Sequence, residues 1–339
     1  MGSVRKLGCI LTANGRPFKV KECEVNQTST QGSDTFHATI ACDAASLKFF
    51  SDADEIDVSI EVIAAGDSGL LFVGSADSCE TDFDHMLVEL SGRDKSKGPI
   101  ETKSNESFKN KTSSQIVEEI AGRHGLKPVI KATSPKAGKQ FKADWVALSD
   151  NVSEWTVVQH LADREGMVAF IQDNELHFQP LDDDDVGDID VRYVPPSPAF
   201  HAIGDNVIHL KGRHNLQLAK KTKVKVHSWD SKQKKVIEAT KEHSGGGSGL
   251  NDYVYRHAHL KKGQADQIAE KRLREHTRHE LTIDLDMPGS AKIKPRKRLN
   301  LSGTGTCYDQ AFYIDHANHR IGDGYRCHVT AKNTKGGKS

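Results

Sequence analysis

The sequence lacks a net charge, a long hydrophobic run and a large share of aromatic residues. Lys plus Arg and Asp plus Glu both number 47 among the 339 residues, so no overall field draws the chain toward nucleic acid or anionic lipid. No apolar run approaches the roughly 18 residues that a membrane helix needs. The start, MGSVRKLGCILTANG, is too short and too polar for a secretory signal. We therefore expect a soluble protein made in the cytoplasm, without membrane insertion or direct sequence-specific binding of nucleic acid.

Cysteine pairs at metal-binding or redox spacing are also missing. The six cysteines show no C-x-x-C spacing and lie at Cys9, Cys23, Cys42, Cys79, Cys307 and Cys327. In a chain of this length, such scatter argues against a zinc site and against a disulfide framework. We predict reduced thiols, several of which occupy inward positions of strands.

Catalytic motifs are missing as well. The sequence has neither the H-E-x-x-H of zinc hydrolases nor the G-x-S-x-G of serine hydrolases. The 17 histidines include three close pairs, which are His257 with His259, His276 with His279, and His316 with His319. His276 and His279 lie about one helical turn apart, but no acidic or cysteine partner stands at ligand spacing. The sequence therefore gives no candidate catalytic, cofactor-binding or metal-binding residue.

Two stretches have the composition of ligand loops without their spacing. In an EF-hand counted from Asp182, positions 5 and 12 would be Val186 and Tyr193, which supply no side-chain ligand of the required type. Asp182 to Asp185 is therefore read as a solvated acidic connector. The glycines of HSGGGSGL, residues 243–250, lack the lysine and the preceding strand of a phosphate loop, so we predict a flexible excursion.

Apolar residues alternate with polar ones over the first 97 residues, which predicts strands. The alternating sets are Phe36, Ala38, Ile40 and Cys42, then Ile56, Val58, Ile60 and Val62, then Met86, Val88 and Leu90. Turn signals such as Asn14-Gly15 separate them at near-regular intervals. A small barrel or sandwich is the natural fold for this pattern. The polar stretch Ser91 to Gly98 marks the first predicted domain boundary.

The pattern changes to helices and short strands over residues 98–190. Thr112 opens a helix with Gln115 at capping-box spacing, and Ser153 opens a second helix that Gly166 ends. Each helix leads into a short strand. These features predict a compact α/β module with two helices.

Strands return over residues 191–335, interrupted by one more helix near 263–279. The run Leu281, Ile283, Leu285 and Met287 alternates with polar residues, and Pro288-Gly289 breaks it. Further alternating runs follow up to Ala331. The two β-rich ends of the chain are thus similar in size.

The order of these last motifs resembles the end of the tail baseplate hub proteins of contractile-tailed phages, also called late-control proteins. In that family a proline-glycine break precedes a strand ending in glycine, and a Y-x-V/I-x-x-x-x-H strand pairs with a GY-x-T/C strand. The matching stretches are MPG, KIKPRKRLNLSG, FYIDHANHRI and GDGYRCHVTA, with LVELSGRDKS, KNKTSSQIVEEIAGRHGL and SEWTVVQHLADREGMVAFIQDNELHFQP upstream. His316 and His319 are alternative equivalents of the family's single histidine.

The resemblance implies an α+β, mostly β fold with two tail-tube-like antiparallel β-barrels, over residues 1–97 and 191–335. The barrels would flank or carry the α/β module of residues 98–190. The implied function is that of a structural baseplate hub without enzymatic activity or cofactor, located in the virion tail and assembled in the host cytoplasm. Three chains with two barrels each would form a homotrimeric pseudo-six-fold ring, which joins the six-fold tail tube to the three-fold spike.

The implied partners are the trimeric spike protein, the tail tube or tube-initiator protein, and tape-measure and other baseplate proteins. Related hubs of type VI secretion systems carry the spike fused to the hub. This chain ends at TAKNTKGGKS, so we expect its spike to be another gene product of a phage or a bacteriocin-type tail. We interpret the basic segments Lys292 to Arg298 and Lys220 to Val226 as solvated loop charge, with a position on barrel edges or in the lumen as the alternative.

Two other classes of function stay open at this point. A cell-wall hydrolase carried by a tail would have clustered acids with a raised pKa in a cleft. A β-rich binding module unrelated to tails would be a monomer or dimer with an exposed aromatic patch.

Overall fold

The computed structural model describes most of the chain. The described residues are 8–29, 32–63, 68–104, 108, 111–134, 152–180, 187–195, 207–216, 220–230, 235–243, 247–258, 260–277 and 280–333. Strands account for 56% and helices for 20%, which confirms the mostly β fold predicted from the sequence. The acidic connector at Asp182 to Asp185 lies outside the described residues, as does the middle of the HSGGGSGL stretch.

Five helices and twenty strands are found in the described residues. The helices are α1 (Ala44–Ser51), α2 (Lys97–Glu101), α3 (Ser113–Arg123), α4 (Glu154–Glu165) and α5 (Lys262–Thr277). The strands of the first half are β1 (Gly8–Ala13), β2 (Arg16–Thr28), β3 (Thr35–Ala41), β4 (Asp57–Ile63), β5 (Gly69–Asp82), β6 (Leu87–Asp94), β7 (Lys103–Ser104), β8 (Lys127–Ile130), β9 (Val152–Ser153), β10 (Met167–Gln172) and β11 (Glu175–Pro180). The remaining strands are β12 (Asp188–Arg192), β13 (His209–His214), β14 (Lys220–Asp230), β15 (Lys235–His243), β16 (Gly247–Ala258), β17 (Leu281–Pro288), β18 (Arg298–Ser302), β19 (Ala311–Ile321) and β20 (Tyr325–Asn333).

The chain divides into two compact units, each assembled from separate segments. Unit 1 comprises residues 1–97, 186–211 and 283–331. Unit 2 comprises residues 98–185, 212–282 and 332–339. The three-segment division predicted from the sequence stays a prediction.

Strands β1 to β6 close into a six-stranded antiparallel barrel in unit 1. The strand order is β1-β4-β5-β6-β3-β2, and β2 returns to pair with β1. Register places Ile40 opposite Val88 and Ala38 opposite Leu90, and all four side chains are buried. A fully buried Leu or Ile side chain contributes about 1.5–3 kcal/mol, so the alternating apolar face drives closure. We call these six strands the closed barrel. They confirm the antiparallel barrel predicted at the start of the chain.

A second set of six strands in unit 1 forms an open path. The path runs β12-β18-β19-β20-β17-β13, and we call it the second set. The β12–β18 pair is parallel, whereas β18 and β19 are antiparallel. Strand β19 also pairs with β2, with His319 opposite Val25, so one continuous sheet links the second set to the closed barrel. Whether this set closes into the predicted second barrel stays a prediction, because residues 196–206 between β12 and β13 lie outside the described residues.

Unit 2 contains the predicted α/β module. Thr112 and Gln115 form a reciprocal capping box at the start of α3, and Ser153 caps α4. Gly166 ends α4 in the left-handed conformation, at φ 70°. The helices pack on a three-stranded sheet of order β10-β11-β8. The two helices and their caps are as predicted, since both start signals are local.

A further three-stranded sheet of unit 2 has the order β15-β14-β16. Strands β14 and β15 pair antiparallel, and β16 joins β14 in parallel. Helix α5 covers one face, where Val224, Val226 and Ala239 pack against Ile268 and other residues of the helix. The opposite face carries the outward side chains of all three strands.

Candidate interaction surfaces

The segment between β17 and β18 contains most of the basic residues of the stretch Lys292 to Arg298. We call residues 289–297 the anchored loop. A Cβ atom at Gly289 would lie only 2.1 Å from Cδ2 of Tyr325, so the tyrosine ring rests directly on the Gly289 backbone. The Gly289 N–H also donates to the Tyr325 carbonyl oxygen at 2.8 Å. This close approach requires glycine after Pro288.

A buried histidine holds the middle of the anchored loop. His319 Nε2 lies 3.0 Å from the Ile293 carbonyl oxygen, and Nδ1 lies 2.9 Å from the Tyr325 hydroxyl. Because a carbonyl oxygen only accepts, Nε2 carries the proton and Nδ1 accepts from the hydroxyl. Burial lowers the pKa of His319 to about 4, so the ring is neutral near pH 7.

The end of the anchored loop is fixed by Arg296. This residue adopts φ 69°, and its buried Nη1 donates to the Thr28 carbonyl oxygen at 3.1 Å. Its backbone N–H donates to the Ile314 carbonyl oxygen at 2.8 Å. The loop is therefore tied to β19 within the second set and to β2 of the closed barrel.

The cations of this basic segment are of two kinds. Arg296 is structural, whereas Lys292 is exposed to solvent. Arg298 forms a bidentate pair with Asp188 of β12, with both N···O distances at 2.7 Å. The exposed charge of this segment is thus smaller than its sequence indicates.

The family-like motifs come together at the anchored loop. Pro288-Gly289, His319 and Tyr325 form one cluster. His316 is exposed on the same strand, so His319 is the buried histidine of the two. Alternation from Phe312 and Ile314 places His316 on their face, so strand periodicity did not indicate that His319 is the buried histidine.

Unit 2 exposes apolar side chains on the sheet face opposite α5. Trp229, Val236 and Val254 are each about half exposed, at 52%, 52% and 51%. Register places Trp229 directly opposite Val236. These side chains, with His227, Arg256 and His257, line a groove of about 420 Å³. We call this surface the Trp229 face. The basic segment Lys220 to Val226, interpreted from the sequence as solvated loop charge, belongs to strand β14 of this sheet.

The cations of the Trp229 face are mostly paired. Lys223 Nζ lies 2.6 Å from a Glu242 carboxylate oxygen, and Lys225 Nζ lies 2.7 Å from Asp252. Arg256 makes no ion pair with any described residue. Within the described part of this sheet, Arg256 is therefore a positive charge without a counter-ion beside the groove.

An aromatic side chain protrudes from the turn between β5 and β6. Phe83 is 67% exposed and lies between Asp82 and Asp84. The Asp82 carboxylate accepts the backbone N–H groups of Asp84 at 3.0 Å and His85 at 2.9 Å. These bonds from His85 and Asp84 hold the pKa of Asp82 below its usual range. The tip is thus an ordered acidic turn that presents a phenylalanine.

The histidine pairs do not form metal sites in the described part of the chain. His276 stacks on Tyr253 with ring centroids 3.9 Å apart, and its Nε2 lies 2.6 Å from the Tyr255 hydroxyl. Burial lowers the pKa of both His276 and His257. His259 and His279 lie outside the described residues. No group of three or more His, Cys, Asp or Glu side chains is placed to hold a metal among the residues that the structure describes.

Asp94 is the carboxyl group in the described segments whose pKa is raised. Burial is the cause, while hydrogen bonds from Ser96 and the charge of Arg296 act in the opposite direction. The Asp94 carboxylate accepts the Ser96 N–H at 3.1 Å. The hydrogen bonds of Asp94 tie it to the neighbouring Ser96, whereas a glycoside hydrolase needs two acids paired in a cleft. Among the described helices, none is long and apolar enough to cross a membrane.

Comparison with known proteins gives one family and several structures of similar fold. Residues 78–323, more than two thirds of the chain, match the family described as Alg8 N-terminal domain. No curated protein sequence matches the chain. A tail protein of Neisseria meningitidis MC58 is 13% identical over 96% of both chains, with a TM-score of 0.69.

Two further structures share the fold at equally low identity. The 43 kDa tail protein of prophage MuSo2 from Shewanella oneidensis is 13% identical over 96% of this chain and 98% of that one, with a TM-score of 0.66. A type VI secretion system component of E. coli is 13% identical over 95% of this chain and 76% of that one, with a TM-score of 0.58. Such likenesses establish a common fold.

Proposed function

The chain belongs to the Alg8 N-terminal domain family, and we propose that it is a structural baseplate hub of a phage or phage-derived tail. The observation that carries the proposal is the pair of six-strand sets in unit 1, joined through β2 and β19. Solved structures of the same fold include tail proteins from two bacteria. The proposal takes residues 1–97 and 191–335 as two tube-like barrels and residues 98–190 as the α/β module between them.

A homotrimer of such chains would carry six barrels in one closed ring. Six barrels match a six-fold tail tube on one side, while the three-fold symmetry of the ring matches a trimeric spike on the other. The partners of the hub are then further copies of itself, a spike protein, and the tube or tube-initiator protein, with tape-measure and other baseplate proteins nearby. Its place is the virion tail, after assembly in the host cytoplasm.

A scaffold role also suits the chemistry of the described side chains. His319, Arg296 and Asp94 are buried and engaged in hydrogen bonds that hold loops and strands. We propose that the chain is not an enzyme, and we expect it to leave the turbidity of a peptidoglycan suspension unchanged. A fall in turbidity that scales with protein concentration would favour the hydrolase alternative.

Light scattering tests the proposed assembly directly. The purified chain, measured at several concentrations in moderate salt, should have the molar mass of a trimer, alone or after addition of the spike protein encoded with it. Co-purification of that spike would support the hub function. A chain that remains a monomer in the presence of the spike would contradict it.

A further inference from the structure

The Trp229 face combines exposed apolar side chains, a groove and an arginine. Three half-exposed apolar side chains, Trp229, Val236 and Val254, surround a groove of about 420 Å³. Contiguous exposed apolar surface beside polar residues marks interaction sites more often than bulk solvent contact. Tryptophan and arginine at such a surface are the residue types that dominate binding energy in protein interfaces. The groove therefore has the composition of a protein-binding site.

The charge beside the groove restricts what can occupy it. The neighbouring lysines are neutralised by Glu242 and Asp252, which leaves Arg256 without a partner among the described residues. Two copies of the groove facing each other would place one Arg256 near the other, and like charges at an interface are unfavourable. A groove-to-groove contact is therefore disfavoured, and the complement is an apolar group that carries negative charge.

The chain itself offers that complement at the turn between β5 and β6. Phe83 is 67% exposed, and Asp84 makes no ion pair with any described residue. The turn is held by the hydrogen bonds to Asp82, so little conformational entropy remains to be lost when it binds. An aromatic side chain on a rigid acidic turn matches an apolar groove beside an arginine in both size and charge.

We propose that the Phe83 turn of one copy docks on the Trp229 face of a second copy. Phe83 enters the groove, and Asp84 pairs with Arg256 at its edge. The two surfaces are different, so the contact is head-to-tail, and repeating it around a closed ring yields a cyclic oligomer. The inference rests on the proposed homotrimer and assigns one of the contacts that would build it.

Two single variants test the contact from its two sides. Phe83→Ser and Trp229→Ser should each weaken association about 10- to 100-fold, because each removes one large apolar side chain from the interface. Leu216→Ser is the matched control, since Leu216 is 70% exposed but belongs to neither surface. Molar mass by light scattering, at a series of concentrations, should fall for the first two variants and match the wild type for the control. Circular dichroism spectra should be unchanged in all three variants, which would show that each variant is folded.

A mixture of the two variants gives a sharper readout. The Phe83→Ser chain keeps its groove and the Trp229→Ser chain keeps its phenylalanine. At a concentration at which each variant alone is monomeric, the mixture should therefore form mixed dimers. Reversing the charges, with Asp84→Arg and Arg256→Glu, should weaken association singly and restore it in the double variant. Restoration would support the pairing of these two residues.

The outcomes separate this contact from the proposed function. A wild-type trimer with unchanged mass in both Ser variants would overturn the contact and leave the hub proposal standing. Loss of association in Trp229→Ser but not in Phe83→Ser would overturn Phe83 as the occupant. A wild-type chain that is monomeric under every condition, including with the spike, would overturn the trimer and the contact with it.

Discussion

In the closed barrel every strand has two hydrogen-bonded neighbours, whereas the second set is an open path whose end strands are β12 and β13. Within the described residues, β12 pairs only with β18 and β13 only with β17. Closure gives each of β1 to β6 two paired neighbours, because a closed sheet has no edge. The second set instead depends on a parallel β12–β18 pair, on the shared strand β19 and on the anchored loop.

The difference shows where specific side chains are needed. The closed barrel is held by an apolar core in which residues such as Leu11, Ile60 and Leu90 are fully buried. The second set has a core of the same kind, but His319 and Tyr325 add polar bonds that fix the anchored loop. A packed core tolerates exchange of similar apolar residues, while a hydrogen-bonded cluster does not. The proline-glycine break, the histidine strand and the GY strand of the resemblance accordingly lie in the second set.

The largest expected effects come from the two cores. Leu90→Ala in the closed barrel and Leu285→Ala in the second set should each lower the free energy of unfolding by about 2–5 kcal/mol, through lost burial and a residual cavity. Both side chains are fully buried. Because both lie in one compact unit, chemical denaturation should show both losses in the same transition. Two separate transitions, each sensitive to one variant, would contradict a single cooperative unit.

The second set should also respond to mild acid. The folded protein holds the pKa of His319 at about 4, below its ordinary value of 6.5, so the unfolded chain binds this proton first as pH falls. The stability gained from neutral His319 is therefore complete above pH 6.5 and is lost as pH falls from 6.5 toward 4. The loss is up to about 3 kcal/mol, measured by denaturant unfolding at a series of pH values.

His319→Gln removes the titrating group and is the test of this assignment. The variant should be less stable at pH 7 but should show a shallower fall in stability between pH 6.5 and 4. His316→Gln is the matched control on the same strand, because its side chain is exposed. A His319→Gln profile that parallels the wild type would assign the acid response to other groups.

Gly289→Ala should break the contact between the anchored loop and Tyr325. The new Cβ would overlap the tyrosine ring, with Cδ2 at 2.1 Å, so ring or loop must move. We expect a loss of about 1–3 kcal/mol in the free energy of unfolding, the usual cost of overpacking. Gly324→Ala is the control, since no heavy atom lies within 4 Å of its Cβ position. Equal stability of the two variants would argue against the anchored loop.

The smallest expected effect on stability comes from Asp77, which lies in β5 of the closed barrel. The Arg93 guanidinium, with Lys97, lowers the pKa of the Asp77 carboxyl from 3.8 to about 2. The stability from this ion pair is present above pH 3.8 and is lost as pH falls toward 2. Because the pair is partly exposed, we expect only about 1 kcal/mol, seen as the difference between wild type and Asp77→Asn. The contribution of Asp77 in the closed barrel is thus lost between pH 3.8 and 2, and that of His319 in the second set between pH 6.5 and 4. Loss of both contributions over the same pH range would contradict that distinction.

Local signals in the sequence predicted the elements well, but not their partners. Thr112 and Ser153 marked helix starts because a cap acts on residues within one turn. Alternation predicted that Ala38 and Leu90 face inward, but it could not predict that they lie opposite each other. The pairing of β19 with β2 joins residues about 290 positions apart, and no local pattern encodes that register.

The surfaces were harder still to predict. Gly289 is distant in sequence from Tyr325 and His319. The three residues form the cluster at the anchored loop because β17, β20 and β19 are neighbours in the sheet. The sequence pattern around Trp229 is that of an ordinary strand. Its exposure follows from the fold, because α5 covers the opposite face of the sheet. Exposure is a property of the whole fold, and sequence periodicity indicates only that a strand has two faces.

Electron microscopy of the purified oligomer, averaged in end-on views, tests the central claim most directly. The account predicts a ring with three-fold symmetry in which six similar barrel densities alternate, two from each chain. Such an image would show that the second set acts as a barrel equivalent to the closed barrel. A ring with only three barrel densities, or particles without three-fold symmetry, would contradict it.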